Sequence, residues 1–192
     1  MNKNNPSYLL IAATISLTSL PLGTGLTKAA LLPTAMQMGN SHLTFSTSIT
    51  QPRRPQLIAR ANDGYSYRLL ALINFERRKV GAPPLKINFK LTRAALGHSQ
   101  DMATHNFFSH TGSNGSQLSD RVNAAGYSWR ALAENIAAGQ STPGAIIQSW
   151  LNSPPHKQNL LNPLYKEVGF GYAVNTQSTY KTYWTADFAK PL

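Results

Sequence analysis

Cysteine is absent from this sequence of 192 residues. Its absence excludes disulfide bonds, thiolate metal sites and a cysteine nucleophile. It also excludes the acylated N-terminal cysteine that anchors bacterial lipoproteins. Without cross-links, the folded part of the chain must be stabilised by its hydrophobic core.

Acidic residues are scarce: seven Asp and Glu oppose 18 Lys and Arg, which gives a formal net charge of +11. A basic exported chain can adhere to anionic envelope polymers or to lipid head groups. Nucleic acid is not an expected partner, because the basic residues are scattered along the sequence and the chain carries an export signal. A soluble basic domain with no charged partner is the alternative.

The sequence also lacks a convincing membrane-spanning run. Residues 8–20 are uncharged, but the run is short and contains Ser and Thr, which disfavours a stable span. Because Lys3 precedes this run and small residues follow it, we interpret residues 1–30 as a cleaved signal peptide, with an uncleaved anchor as the alternative. The chain would then contact the membrane only through this signal, and it would be secreted or held in the periplasm or cell envelope.

Residues 31–62 show no sustained periodicity and are rich in Ser, Thr, Gln, Pro and Asn. The prolines of residues 51–55 are incompatible with a helix there. We expect residues 31–62 to form a disordered linker and residues 63–192 to form the folded domain.

Hydrophobic spacing predicts both helices and strands in the folded domain. A helical period begins at Ser66 and ends at Gly81. The same reasoning predicts further helices at 89–105, 118–125, about 143–150 and 154–161, and strands at 129–139, 167–174 and 178–188. The last two strands are expected to form an antiparallel hairpin.

Glu134 is the acidic residue with the most apolar neighbours in the sequence, among them Ala133 and Ile136. A carboxylate in such surroundings is costly unless a cation, a metal or several donors meet it. The best-placed candidates are His110 in a loop and His156 in the first turn of a short helix. That position favours neutral His156, the form that a metal needs. We therefore predict that His110, Glu134 and His156 share one site.

Four further polar residues are predicted to support this site: Asn74, Arg77, His98 and Asn135. Asn74 and Arg77 lie three residues apart on one side of the first helix. They could orient the site, but we expect them to bond to a neighbouring backbone. His98 lies on the apolar stripe of the second helix, where a histidine is usually a hydrogen-bonded core residue.

Six short motifs resemble, in the same order, those of the CAP superfamily in its bacterial secreted form. This superfamily is also called the SCP domain, or the cysteine-rich secretory, antigen 5 and pathogenesis-related family. The motifs are Asn74-x-x-Arg77, His98-Ser99-Gln100-Asp101-Met102, Phe107-Phe108-Ser109-His110, Ala133-Glu134-Asn135-Ile136, Ser153-Pro154-Pro155-His156 and Glu167-Val168-Gly169-Phe170-Gly171-Tyr172. Each motif alone is weakly specific, whereas their shared order is strongly specific. The resemblance covers nearly all of the folded part.

The resemblance implies an α+β fold, an α-β-α sandwich with a small antiparallel sheet between helical layers and a central cavity. In animal members, this cavity carries two histidines and two glutamates and can bind a divalent metal such as zinc. By motif, His110 and His156 match the histidines and would be the metal ligands, and Glu134 matches one glutamate. The second glutamate is missing from residues 150–153, which argues against acid–base catalysis by paired carboxylates.

The resemblance favours a binding module of the cell envelope, whose cavity would hold a lipid, a glycan or another hydrophobic small molecule, with zinc as the only cofactor considered. A zinc-dependent hydrolase is an alternative, although no His-Glu-x-x-His motif supports it. A serine hydrolase using Ser109 or Ser153 is weaker, because no nucleophile elbow frames either serine. In the remaining alternative, the three side chains only hold the sandwich together, as buried charged triads often do. We name no catalytic residue.

Overall fold

The computed structural model describes residues 9–15 and 56–192, with side chains from residue 64 onward. The other residues of the predicted signal, and residues 31–55 of the predicted linker, lie outside the described residues. Helix α1 spans Gln56–Lys79, so it begins inside the stretch predicted as linker and ahead of the predicted start at Ser66. Residues 56–63 contain neither proline nor glycine, so nothing in them stops the helix from extending back to Pro55.

Four more helices follow along the chain: α2 at Phe89–His105, α3 at Leu118–Ala124, α4 at Pro143–Leu151 and α5 at Pro154–Leu161. Their starts agree with the sequence signals. The Asn88 side chain accepts hydrogen bonds from the first turn of α2, and Thr142 caps α4 ahead of Pro143. None of the helices described is both long and apolar enough to cross a bilayer.

Five strands form one sheet in the order β1-β3-β5-β4-β2. Their bounds are β1 at Leu9–Ile15, β2 at Lys86–Ile87, β3 at Trp129–Ala138, β4 at Glu167–Val174 and β5 at Thr182–Pro191. All pairs are antiparallel except β2 with β4, so the sheet is mixed rather than purely antiparallel. Strand β5 begins at Thr182, later than predicted, because the chain is still turning at Lys181, whose φ is 65°.

Strand β1 lies within the predicted signal peptide. It pairs with β3 in a continuous register from Leu9 opposite Ala138 to Ile15 opposite Leu132. The signal peptide and its cleavage remain predictions. A chain cut after residue 30 would lose β1 and would have β3 as the edge strand of its sheet.

The helices cover both faces of the sheet, which gives the predicted α-β-α sandwich. One face packs against α2 and α3 through a cluster that includes Leu91, Val122 and Leu132. The other face packs against α1, α4 and α5 in a larger cluster that includes Ile73 and Trp150. Both clusters are buried, so the sheet forms the middle layer.

Helix α2 lies directly on β4, with no side chain between the two backbones. A Cβ on Gly169 would overlap the backbone of Leu91, and one on Gly171 would overlap that of Ala95. This is the close approach that the two glycines predict. It fixes the height of α2, and therefore of His98, above the sheet.

Candidate functional site

Glu134 lies at the centre of a buried polar cluster on the α2 and α3 face of the sheet. Its side chain is fully buried. One carboxylate oxygen, Oε1, lies 2.6 Å from His110 Nδ1, and the other, Oε2, accepts a hydrogen bond of 2.8 Å from Arg121 Nη2. Because both oxygens have donors, the carboxylate is held in its ionised form.

Two opposing effects act on the pKa of Glu134. Burial alone would raise the pKa. The hydrogen bond from His110 and the electrostatic interactions with the basic groups of His98, Arg121 and His110 outweigh burial and lower the pKa to about 2. Glu134 is therefore a weak base, suited to holding its neighbours rather than to accepting a proton.

His98 packs against this cluster as a neutral core histidine. Its Nε2 lies 2.9 Å from the carbonyl oxygen of Ser109 and 3.9 Å from Glu134 Oε1. Since a carbonyl only accepts hydrogen bonds, Nε2 carries the proton. Burial lowers the pKa of His98, and this effect outweighs the charge of Glu134, which acts to raise that pKa. These contacts agree with a structural role for His98, which stays a prediction, and the residue also contacts the site.

Arg121, on α3, joins Glu134 to the loop that carries His110. Besides Glu134, its guanidinium donates from Nη1 to the carbonyl oxygens of His110 and Ser116, at 3.0 and 2.9 Å. Sequence reasoning missed Arg121, although it is the single basic residue of a helix that directly follows the His110 loop. The cation expected near Glu134 is thus supplied by an arginine in addition to a histidine.

Asp187 is a second acidic residue that sequence reasoning missed. It lies on β5, directly opposite Glu134 on β3, and it is fully buried. The signal that singles out Glu134 applies here too, because Asp187 stands among Ala186, Phe188 and Ala189.

His156 lies on α5, which packs on the other face of the sheet. Neighbouring residues of a strand point to opposite faces, so Asn135 faces α5 where Glu134 faces α2. The Asn135 amide donates to the backbone oxygen of His156 at 3.1 Å, and Asn159 donates to Asn135. The imidazole Nδ1 of His156 lies 2.6 Å from Ser153 Oγ. The structure thus joins His110 to Glu134, and it anchors the backbone of His156 through Asn135.

Asn74 and Arg77 bond to backbone groups away from the Glu134 cluster, as expected. Asn74 exchanges two hydrogen bonds with the backbone of Leu85. The buried guanidinium of Arg77 donates to four carbonyl oxygens, those of Pro83, Leu160, Asn162 and Tyr165. Asn74 therefore ties α1 to the loop that follows it, and Arg77 ties α1 both to that loop and to the end of α5 and the loop beyond it.

His110 has the features of a metal ligand. Its Nδ1 faces Glu134, and its Nε2 is buried without a hydrogen-bond partner among the described residues. A carboxylate behind the imidazole is the usual way in which proteins orient a metal-binding histidine. Across residues 9–15 and 56–192, however, no three His, Asp or Glu side chains form a group that could hold an ion. Zinc bound by His110 and His156 therefore stays a prediction.

A pocket of about 320 Å³ opens beside the Glu134 cluster, between α2, α3 and the loop of residues 111–117. The polar residues that line it are Arg93, His98, Asp101, Ser113, Asn114, Ser116 and Arg121. The loop is pinned to α2 because Asp101 accepts hydrogen bonds from both the backbone and the hydroxyl of Ser113. The polar wall of the pocket is therefore preformed.

This chain belongs to the CAP family, because the model of the cysteine-rich secretory protein family matches residues 70–188. YkwD of Bacillus subtilis is 36% identical over 124 residues, which cover 65% of this chain and 46% of that protein. An extracellular protein of Bacillus anthracis that contains an SCP domain is 30% identical, with a TM-score of 0.64 over 73% of this chain and 45% of that one. The chain thus spans less than half the length of these two relatives.

An outer surface protein of Borrelia burgdorferi shares the fold. Its TM-score is 0.60 at 23% identity, and the match covers 66% of this chain and 92% of that protein. At this identity the likeness shows the fold alone. The match covers nearly the whole of that protein, which is therefore scarcely longer than the domain.

Proposed function

We propose that this chain is a secreted or envelope-associated binding module that holds a glycan in the pocket beside Glu134 and catalyses no reaction. Its location is supported by the description of one relative, the extracellular protein of Bacillus anthracis. The basic balance of the sequence, +11, suits an anionic envelope.

The lining of the pocket is the observation that carries the glycan proposal. Hydroxyl, amide, carboxylate and guanidinium groups converge there, which matches the many donors and acceptors of a sugar. The apolar residues among those described in the lining are small, namely Ala94, Ala124 and Ala125. A lipid tail would find little large apolar surface in this pocket, so a glycan is favoured over a lipid.

A binding role is also favoured over catalysis by the bonds of Glu134. Both of its oxygens are engaged by His110 and Arg121, and its lowered pKa makes it a poor proton acceptor. A general base would need a pKa nearer neutrality and a free oxygen beside the substrate. Glu134 is better suited to keep His110 and Arg121 in fixed positions at the edge of the pocket.

The glycan proposal can be tested by filling the pocket. Gly97 lies on α2 in the lining, and a Cβ there meets nothing within 4 Å. Gly97→Leu should therefore fold, occupy the pocket and weaken binding of soluble peptidoglycan fragments at least about tenfold. Binding would be followed by amide NMR shifts in the full chain.

The matched control is Gln100→Leu, an exposed position on the same helix outside the pocket lining. Gln100→Leu should bind as the wild type does. If Gly97→Leu binds peptidoglycan fragments equally well, or if the shifts fall elsewhere, the pocket is not the site. Vesicles of anionic lipid form the second arm, and binding to vesicles alone would favour the lipid alternative.

A zinc-dependent hydrolase is the second candidate, favoured by the buried Nε2 of His110. If His110 ligates zinc, His110→Ala should weaken zinc binding at least about tenfold in equilibrium dialysis. The affinity of the wild type for zinc should fall as the pH is lowered, because protonated imidazole cannot bind a metal. His105→Ala, at an exposed histidine, is the control. Equal loss in both variants, or no zinc bound by the wild type, would rule out this site.

A further inference from the structure

Asp187 occupies the central strand of the sheet, between Glu134 on β3 and Gly169 on β4. Residues directly opposite each other in adjacent strands share a face, so the carboxyl groups of Asp187 and Glu134 lie side by side. Gly169 offers no side chain, and the backbone of α2 lies directly over it. The Asp187 carboxyl is thus covered by helix and sheet.

Neither oxygen of Asp187 receives a hydrogen bond from any N–H or O–H group that the structure describes. An ionised carboxylate buried in this way is strongly disfavoured, because it loses its water and gains no donor. A neutral carboxylic acid avoids the charge and brings its own donor, the acid proton. The nearest suitable acceptor is Glu134, whose carboxylate has lone pairs beyond those used by His110 and Arg121.

We propose that Asp187 is the second acid of this site, a neutral carboxylic acid at physiological pH that donates its proton in a hydrogen bond to Glu134. Glu134 then receives donors from three directions: His110, Arg121 and Asp187. Asp187 would act as a positioning residue, because it touches Glu134 and reaches His110 only through it.

The surrounding charges explain why the proton stays on Asp187. Glu134, Arg121, His98 and His110 are the titratable or charged side chains that meet in this cluster. His110 and Arg121 bond to Glu134 and stabilise its ionised form, whereas no such donor reaches Asp187 from the part of the chain that the structure describes. Burial raises the pKa of Asp187 well above its usual range, and Glu134 raises it further against the opposing charge of Arg121.

This arrangement avoids a second negative charge in the buried cluster. Ionised Glu134 is matched by Arg121, while His98 and Asp187 stay neutral. A second ionised carboxylate would leave an uncompensated negative charge between the helix and the sheet. The site therefore contains two acidic residues, Glu134 and Asp187. Neither comes from the helix before His156, where the family resemblance would place the second glutamate.

The protonation of Asp187 can be measured in the wild-type full chain without any ligand. The result is therefore independent of whether the chain binds a glycan. The sequence has four aspartates, Asp63, Asp101, Asp120 and Asp187. In protein labelled with ¹³C at the aspartate carboxyl, isotope-edited infrared spectra at pH 7 should contain one neutral carboxylic acid band. Asp187→Asn should remove that band. A wild-type spectrum with only ionised aspartates at pH 7 would overturn the proposal.

Two variants of similar size separate positioning from packing. The amide of Asp187→Asn can still donate to Glu134, so the Glu134 titration midpoint and the His110 ¹⁵N shifts should stay close to the wild type. Asp187→Val removes the donor, so the Glu134 midpoint should rise by about one pH unit. Equal behaviour of the two variants in both readouts would show that Asp187 does not act through Glu134.

Discussion

At Glu134 the balance between desolvation and hydrogen bonding decides how the protein responds to acid. The pKa of this carboxyl is lowered to about 2 in the folded state, from an ordinary value of 4.5. A carboxyl whose pKa is lower when folded stabilises the fold wherever it is ionised in both states. Its contribution is complete above about pH 4.5, and it is lost as the pH falls towards 2.

We predict that Glu134→Gln removes this acid sensitivity. The shift corresponds to about 3 kcal/mol of stability at neutral pH, which the variant should lack. Urea unfolding between pH 7 and pH 2 would measure it: the wild-type free energy of unfolding should fall below pH 4.5, and that of the variant should fall less. Glu76→Gln, at a partly exposed pair with Lys79, is the control and should follow the wild type. Parallel curves for Glu134→Gln and the wild type would contradict the assignment.

At the scale of elements, the contact of α2 with β4 sets the distance between the site residues on the helix and those on the sheet. His98 and Asp101 are on α2, whereas Glu134 and Asp187 are on the sheet. The glycines of β4 let the helix backbone rest directly on the strand. Any side chain at these positions would push α2 outward and carry His98 away from Glu134.

We predict that Gly171→Ala destabilises the fold by more than about 3 kcal/mol, because the new Cβ would overlap the backbone of Ala95. Thermal or urea unfolding would measure the loss. Gly97→Ala is the matched control on α2, since its Cβ meets nothing and alanine favours a helix. That control should gain about 0.5–1 kcal/mol. A Gly171→Ala protein as stable as the wild type would show that the helix can move without cost.

An element of the fold could be predicted from the sequence when the residues that specify it lie within it or directly beside it. The bounds of α2 and α5 follow from Asn88 and from Ser153 with Pro154, because caps act within a few residues. Strand β2 has two residues, and its partner β4 is distant in sequence, so no periodicity marks it. Its parallel pairing could not be predicted either.

The candidate site was predicted only in part for the same reason. Apolar neighbours singled out Glu134, and His110 was a candidate partner for it; the two side chains are in contact in the structure. Arg121 and Asp187 belong to the cluster through tertiary packing. Asp187 has apolar neighbours as Glu134 does, but nothing in either residue's own segment shows that it meets Glu134. His156 was expected beside Glu134, but alternation along β3 directs Asn135, not Glu134, towards α5.

At the scale of the whole molecule, Arg77 joins the first helix to the region before the last two strands. Its guanidinium is fully buried and donates to carbonyl oxygens of Leu160, Asn162 and Tyr165 at 2.7–3.1 Å. These bonds depend on the planar fork of arginine, which lysine cannot reproduce. In a chain without disulfides, this set of bonds holds two segments that are distant in sequence together, as a cross-link would.

We predict that Arg77→Lys lowers the free energy of unfolding by about 3–5 kcal/mol, because several buried carbonyls lose their donors. Arg78→Lys, at the exposed neighbouring position, should change it by less than about 0.5 kcal/mol. Urea unfolding monitored by tryptophan fluorescence would compare the two. Similar small losses in both variants would mean that water or other donors replace the Arg77 bonds.

The position of Arg77 also bears on when the chain can finish folding. Its partners from Leu160 to Tyr165 lie 83 to 88 residues further along. A ribosome completes α1 long before it reaches them, and loops of this length close at an entropic cost and slow the reaction. Until Leu160 emerges, Pro83 is the one carbonyl partner of the guanidinium that has been made, and the apolar face of α1 lacks its contacts with α5 and β4. A nascent chain stalled before Leu160 would expose the guanidinium of Arg77 and part of the apolar face of α1 to chaperones and proteases. A chain extended past Tyr165 could bury both.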